Sequence, residues 1–148
     1  MKRFQTVATV GLGLIGGSIG LALRKWRPGV KVVGIGRNRK RLKIAKDRGA
    51  VSSWTTDMAE GLPEADLVVV CTPVGRIVED VRRAAEHCRP GTLITDAGST
   101  KESIVKALDE GLPRLYVGRS LSLPLMVHKS GIEHARAKLF KRRPAIIT

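Results

Sequence analysis

Aromatic residues are scarce in this chain: two Trp, one Tyr and two Phe, 3% of 148 residues. Any core must therefore be aliphatic, and little is left for stacking nucleic-acid bases. Cys71 and Cys88 are the only cysteines, too few for a disulfide framework, so both read as buried or inert thiols. No run approaches the roughly 20 apolar residues of a membrane-spanning helix. Lys2 and Arg3 before an apolar stretch imitate a signal peptide. That stretch carries Gly11, Gly13, Gly16, Gly17 and Gly20 and shows no small-x-small cleavage site, so it reads as strand, turn and helix. The expectation is one soluble, cytoplasmic domain over residues 1–148, with no membrane partner and no metal.

Acidic residues are also few, 13 against 27 Lys and Arg, for a net charge of +14. Much of the surplus falls between Arg24 and Arg48. Such a patch suits nucleic acid. No helix-turn-helix, zinc-finger or RNP signature accompanies it, however. A solvated basic surface, part of it serving a polyanionic small ligand, accounts for it better.

What the chain does have is glycine in a pattern. Val7 to Val10 is a β-type apolar run that meets Gly11-Leu12-Gly13-Leu14-Ile15-Gly16, a G-x-G-x-x-G, and a helix-compatible stretch follows. Gly11 permits the tight turn, Gly13 lets backbone approach a pyrophosphate, and Gly16 lets helix pack on strand. Together with Leu14 and Ile15, they would present N–H groups to a dinucleotide at a helix N-terminus. A second β-branched run, Val30 to Ile35, follows roughly twenty residues on, as the motif requires.

Strand and helix patterns then alternate. Strands are expected at 6–10, 30–35, 50–53, 67–71, 92–95, 115–117 and 145–147. Helices are expected at 14–25, 39–48, 74–87, 100–108 and 131–140, with a helical turn at 58–61. Gly49 ends the second helix, and Ser99 or Thr100 caps the one that starts at 100. This alternation is the mark of an α/β, Rossmann-type, doubly wound and mainly parallel sheet with helices on both faces.

In such sheets ligands lie beyond the carboxyl ends of the strands. The second strand ends in Gly36-Arg37-Asn38-Arg39, where an NAD site usually places Asp or Glu for the ribose 2′-hydroxyl. A guanidinium pairs bidentately with phosphate, so Arg37, Asn38 and Arg39 point to NADP rather than NAD. The fourth strand ends in Cys71-Thr72-Pro73-Val74, with Pro73 suited to a first helical turn; Thr72, Pro73 and Val74 would pass beside the cofactor. The fifth ends in Thr95-Asp96-Ala97-Gly98-Ser99-Thr100-Lys101. Ser99, Thr100 and Lys101 put two hydroxyls and an ammonium at a helix start, where they would cradle a carboxylate or orient a hydroxyl, or serve as a plain cap.

These motifs, in this order, resemble the N-terminal nucleotide-binding half of the prephenate/arogenate dehydrogenase family. His128-Lys129-Ser130-Gly131-Ile132-Glu133 and Arg143-Pro144-Ala145-Ile146-Ile147-Thr148 continue the likeness over almost the whole chain. The resemblance implies an NAD(P)-dependent oxidative decarboxylation of prephenate or arogenate in tyrosine biosynthesis, with a small-molecule substrate. It assigns Ser99 to the substrate hydroxyl and the nicotinamide region, and a histidine to the same hydroxyl as acceptor or base. Another β-hydroxyacid-type dehydrogenase and a non-catalytic nucleotide-binding module are the alternatives.

The chain departs from the family in two places. The family's catalytic histidine lies in a His-Pro pair, whereas Arg119 to Val127 contains none and His128 directly precedes Lys129-Ser130-Gly131. A compensated reading-frame shift and true divergence both produce such a block. The family also continues into a helical domain that completes the substrate pocket and mediates homodimerisation. That domain is absent from these 148 residues, so the chain reads as truncated and is expected to turn substrate over poorly alone.

Overall fold

The structure, a computed structural model, describes residues 4–99, 101–109, 121–122, 130–142 and 146–147. The β-branched run Thr6–Val10 forms β1, and the glycine turn leads into α1 (Leu14–Trp26). There follow β2 (Lys31–Ile35), α2 (Arg39–Asp47), β3 (Ser53–Thr55), α3 (Met58–Gly61) and β4 (Leu67–Val70). A 3-10 turn at Val74–Arg76 opens α4 (Ile77–His87), and then come β5 (Leu93–Asp96) and α5 (Lys101–Asp109). The main sheet has the order β3-β2-β1-β4-β5 and every pairing in it is parallel. Val7 of the central β1 faces Val32 on one side and Leu67 on the other.

The strands bury near-continuous aliphatic runs because helices cover both faces. On one face Ala8, Val10, Val33 and Val68 pack with Leu62, Ile77, Val81 and Ile104. On the other Leu12, Val32 and Val51 pack with Leu42, Ala45 and Ile132. Each fully buried aliphatic side chain contributes about 1.5–3 kcal/mol, so aromatic rings are not needed for a stable core. The predicted apolar stripe of α4 holds: Ile77 and Val81 are buried, with Val78 and Ala85 packed against the same core. Gly49, at φ +77, follows α2 as expected, a backbone state that favours glycine.

Two predicted elements are corrected. The third strand lies at Ser53–Thr55, not at 50–53. The Ala50 N–H donates back to Ala45 of α2, so Ala50 and Val51 form a buried link and pairing with β2 starts at Ser53. The predicted helix over 131–140 is instead a 3-10 turn at Ile132–His134 with extended Ala135 after it. Ile132, Ala135 and Leu139 have helical spacing, but other parts of the fold satisfy the backbone here. Arg48 donates to the carbonyls of Ile132 and Ala135, and the Arg136 N–H donates to Ser18 Oγ at 3.0 Å. Ile146–Ile147 (β7) pairs antiparallel with Leu121–Ser122 (β6), apart from the main sheet. The predicted strand at 115–117 lies outside the described residues.

Candidate functional site

Strand order reverses at β1: the chain goes from β1 to β2 and β3 on one side, then crosses to β4 and β5 on the other. Such a switch point leaves a crevice at the carboxyl ends of the strands. A cleft of about 1150 Å³ lies there, walled by the glycine turn, by the end of β2, by the β4–α4 connection and by Ser130, Gly131 and Glu133.

The glycine turn has the shape the sequence requires. Gly11 holds φ +90, and a Cβ there would lie 2.9 Å from the Cys71 backbone. A Cβ on Gly16 would lie 2.0 Å from the Gly11 carbonyl oxygen, so turn and helix touch backbone to backbone. Gly13 is the exception, because a Cβ there meets nothing within 4 Å. That open space is a cradle in front of the α1 N-terminus. Gly13 has no side chain to cap the helix, and the first turn of α1 carries no acid. The uncapped N–H groups and the positive end of the helix dipole fit a pyrophosphate.

Beside the cradle, β2 ends at Ile35, and Gly36, Arg37 and Asn38 line the cleft. Asn38 caps α2, its Oδ1 accepting from the Arg41 N–H at 3.1 Å. This cap directs the first turn of α2 so that Arg41 joins Arg37 in the wall, while Arg39 is not among the lining residues. Arg41 went unnoticed in the sequence, although it follows Arg37 by one helical turn.

Thr72 and Pro73 line the cleft; Val74 is exposed and lies outside the wall. Cys71 also lines it. Burial, with a smaller contribution from Asp96, pushes its thiol up to about 12, and burial takes Cys88 to about 11. Both thiols stay protonated and poorly nucleophilic near neutral pH. Ser99 is exposed beyond β5 and is not part of the cleft wall. Lys101 opens α5. Thr100 and His128 lie outside the described residues, as do residues 119–120 and 123–127.

Three cleft residues from α4 and the turn before it were missed: Arg76, Asp80 and Arg83. Asp80 had a readable signal, since it falls on the buried stripe between Ile77 and Ala84 where an acid is costly. The basic stretch is partly absorbed by structure. Arg24 Nη1 donates to Ser52 Oγ at 2.8 Å, Lys46 donates to the Ser52 carbonyl, Arg48 holds 132–135, and Arg37 and Arg41 face the cleft.

Comparison with known proteins decides the family. The family model described as "Prephenate dehydrogenase, nucleotide-binding domain" matches residues 19–148. The chain belongs to that family. Prephenate dehydrogenase of Bacillus subtilis (strain 168) is 35% identical over 148 residues, covering 97% of this chain and 39% of the relative. The crystal structure of Synechocystis arogenate dehydrogenase superposes with TM-score 0.85 at 28% identity, covering 97% of this chain and 49% of that one. Prephenate dehydrogenase from A. aeolicus, in complex with hydroxyphenyl propionate and NAD+, gives TM-score 0.89 at 25% identity, covering 99% and 51%. This domain therefore spans about half the length, or less, of these relatives. Among its described residues no helix is long and apolar enough to cross a membrane.

Proposed function

We propose that this domain binds NADP in preference to NAD and serves a cytosolic prephenate or arogenate dehydrogenase of tyrosine biosynthesis. The observation that carries the cofactor preference is the end of β2, where Arg37 and Arg41 line the cleft and no carboxylate follows the strand. Two guanidiniums suit the dianionic 2′-phosphate, whereas a ribose hydroxyl would want an acceptor. The A. aeolicus relative was crystallised with NAD+.

The residues divide the work across the sheet. The turn from Gly11 to Gly16, with Leu14 and Ile15, holds the pyrophosphate at the centre, over β1. Arg37, with Asn38 and Arg41 beside it, holds the adenosine end over β2. Thr72 and Pro73 carry the dinucleotide past β4. Ser99 follows β5, three strands from β2 or about 14 Å at roughly 4.8 Å per strand. This distance suits the nicotinamide side, where the Ser99 hydroxyl would orient the substrate hydroxyl, helped by Thr100 and Lys101, next to it in sequence. A bound nicotinamide would supply the hydride acceptor for the ring carbon that bears the substrate hydroxyl, and the accompanying loss of carbon dioxide from the substrate would make its ring aromatic. Aromatisation drives the reaction, so the protein's task is to position two reactants and polarise one hydroxyl. Homodimerisation belongs, in this reading, to the part of the family beyond this domain.

Calorimetric titration of the purified chain with NADP+ and NAD+ tests the proposal. NADP+ should bind at least about tenfold more tightly, the difference expected for one charge-assisted phosphate contact. A folded sample that bound neither dinucleotide would overturn it.

A further inference from the structure

The Arg76–Asp80 pair is a built polar feature of the cleft that phosphate binding does not use. Asp80 is 2% exposed and sits on the core stripe of α4, yet it lines the cleft. Arg76 Nη2 reaches Asp80 Oδ1 at 3.3 Å, a single end-on contact rather than a two-pronged fork. The other ends are unspent. Asp80 Oδ2 and Arg76 Nε are both buried and have no hydrogen-bond partner among the described residues. Buried polar atoms are nearly always paired, so an unpaired acceptor and an unpaired donor on one ion pair in a cleft wall call for a partner.

The chemistry of these two atoms is specific. It asks for a group with a donor next to an acceptor. A phosphate has only acceptors and would be repelled by Asp80. A metal cation would meet the Arg76 charge. A purine edge matches: adenine presents its N6 amine directly beside the N7 acceptor. Position agrees, because Arg76 and Asp80 share the cleft with Arg37, which marks the adenosine end, and with the apolar Ile35 and Met58, which suit the ring face.

We infer that Arg76 and Asp80 together read the hydrogen-bonding edge of the adenine, Asp80 accepting from the N6 amine and Arg76 Nε donating to the neighbouring ring nitrogen. The inference rests on the dinucleotide reading of the cleft. It makes this chain selective for the base as well as for the 2′-phosphate. In hypoxanthine a carbonyl replaces the amine, so Asp80 would face another acceptor.

The test compares calorimetric Kd values of the full chain for NADP+ and for its hypoxanthine counterpart. Wild type should favour adenine by about ten- to a hundredfold, the range for a good bidentate base contact. Asp80→Asn keeps the shape and can donate to the hypoxanthine carbonyl, so the ratio should fall to about one or invert. Arg76→Gln, at a partly exposed position, should narrow it as well. Circular dichroism confirms that each variant is folded. Equal wild-type affinity for the two dinucleotides overturns this inference alone. So does a loss shared equally by both ligands in the variants, which would make the pair a structural ion pair. Failure to bind either dinucleotide overturns the cleft reading and this inference with it.

Discussion

Arg48 donates from Nη2 to the carbonyl oxygen of Ala135 at 2.8 Å, joining the end of α2 to a segment 87 residues later. The same guanidinium reaches the Ile132 carbonyl. Ile132 and Ala135 fill the hollow left by Gly17, where a Cβ would come within 2.3 Å of Ile132 Cδ1. The segment so fixed carries Ser130, Gly131 and Glu133 to the cleft wall. Arg48→Ala should therefore lower stability by about 1–2 kcal/mol, the lower part of the range for charge-assisted hydrogen bonds because the arginine is largely exposed. Urea denaturation measures this, and protease sensitivity centred on 130–136 would locate the loosening. Unchanged stability would mean that apolar packing alone holds the segment.

Gly13 and Gly16 should respond in opposite ways to alanine. At Gly16 the new methyl would meet the Gly11 carbonyl at 2.0 Å, and rigid backbone cannot yield. Overpacking of this kind costs about 1–3 kcal/mol or more, so Gly16→Ala should show a clear drop in melting temperature. At Gly13 there is free space, and its φ of −94 lies outside the left-handed region that favours glycine. Gly13→Ala should melt like wild type yet lose at least about tenfold in dinucleotide affinity, as its methyl stands where backbone must approach the pyrophosphate. A Gly13→Ala variant that binds normally would move the pyrophosphate out of the cradle.

Arg37→Asp should reverse the cofactor preference, weakening NADP+ by charge repulsion and giving a ribose hydroxyl an acceptor. Arg39→Asp is the matched control. It makes the same charge change two residues on, at an exposed position outside the cleft wall, and should alter the NADP+/NAD+ ratio by less than about threefold. Equal effects of the two substitutions would show a diffuse field rather than a phosphate contact.

Asp66 predicts an acid limb of stability. Its Oδ2 accepts from the N–H groups of Gln5 and Thr6 at 2.8 and 3.0 Å, and its Oδ1 from Arg89 Nη2 at 2.6 Å. The Thr6 and Gln5 bonds, with Arg89 helping, hold the carboxyl below its ordinary 3.8. A carboxylate whose folded pKa is lowered adds stability above its unfolded value, and that stability fades as pH falls through the folded one. Thermal melts should therefore lose stability below about pH 4. Asp66→Asn should be less stable at pH 7 by about 1–3 kcal/mol and flatter between pH 5 and 3. Parallel pH curves for the two proteins would remove Asp66 from the acid limb.

Much of this molecule is local and so legible in its residues. β-branched runs, a glycine turn and Gly49 after α2 are written in consecutive positions, and Arg37 in place of an acid is visible without coordinates. The misreadings arose where long-range partners outbid local pattern. Ile132, Ala135 and Leu139 carry helical spacing, yet Arg48 takes the carbonyls of Ile132 and Ala135, and Ser18, 118 residues away, takes the Arg136 N–H. Arg76, Asp80 and Arg83 became cleft residues only because the crossover from β3 to β4 sets β4, and with it the start of α4, beside β1 at the switch point.

By itself, then, the sequence determined the parallel α/β class, the glycine turn, the family and the absence of an acid after β2, since each depends on residue types within a few positions of one another. Tertiary structure alone decided which arginine joins Arg37, which segment closes the cleft, and that a buried carboxylate waits in its wall. Those are relations between strand ends, and strand ends meet only after the sheet has ordered itself.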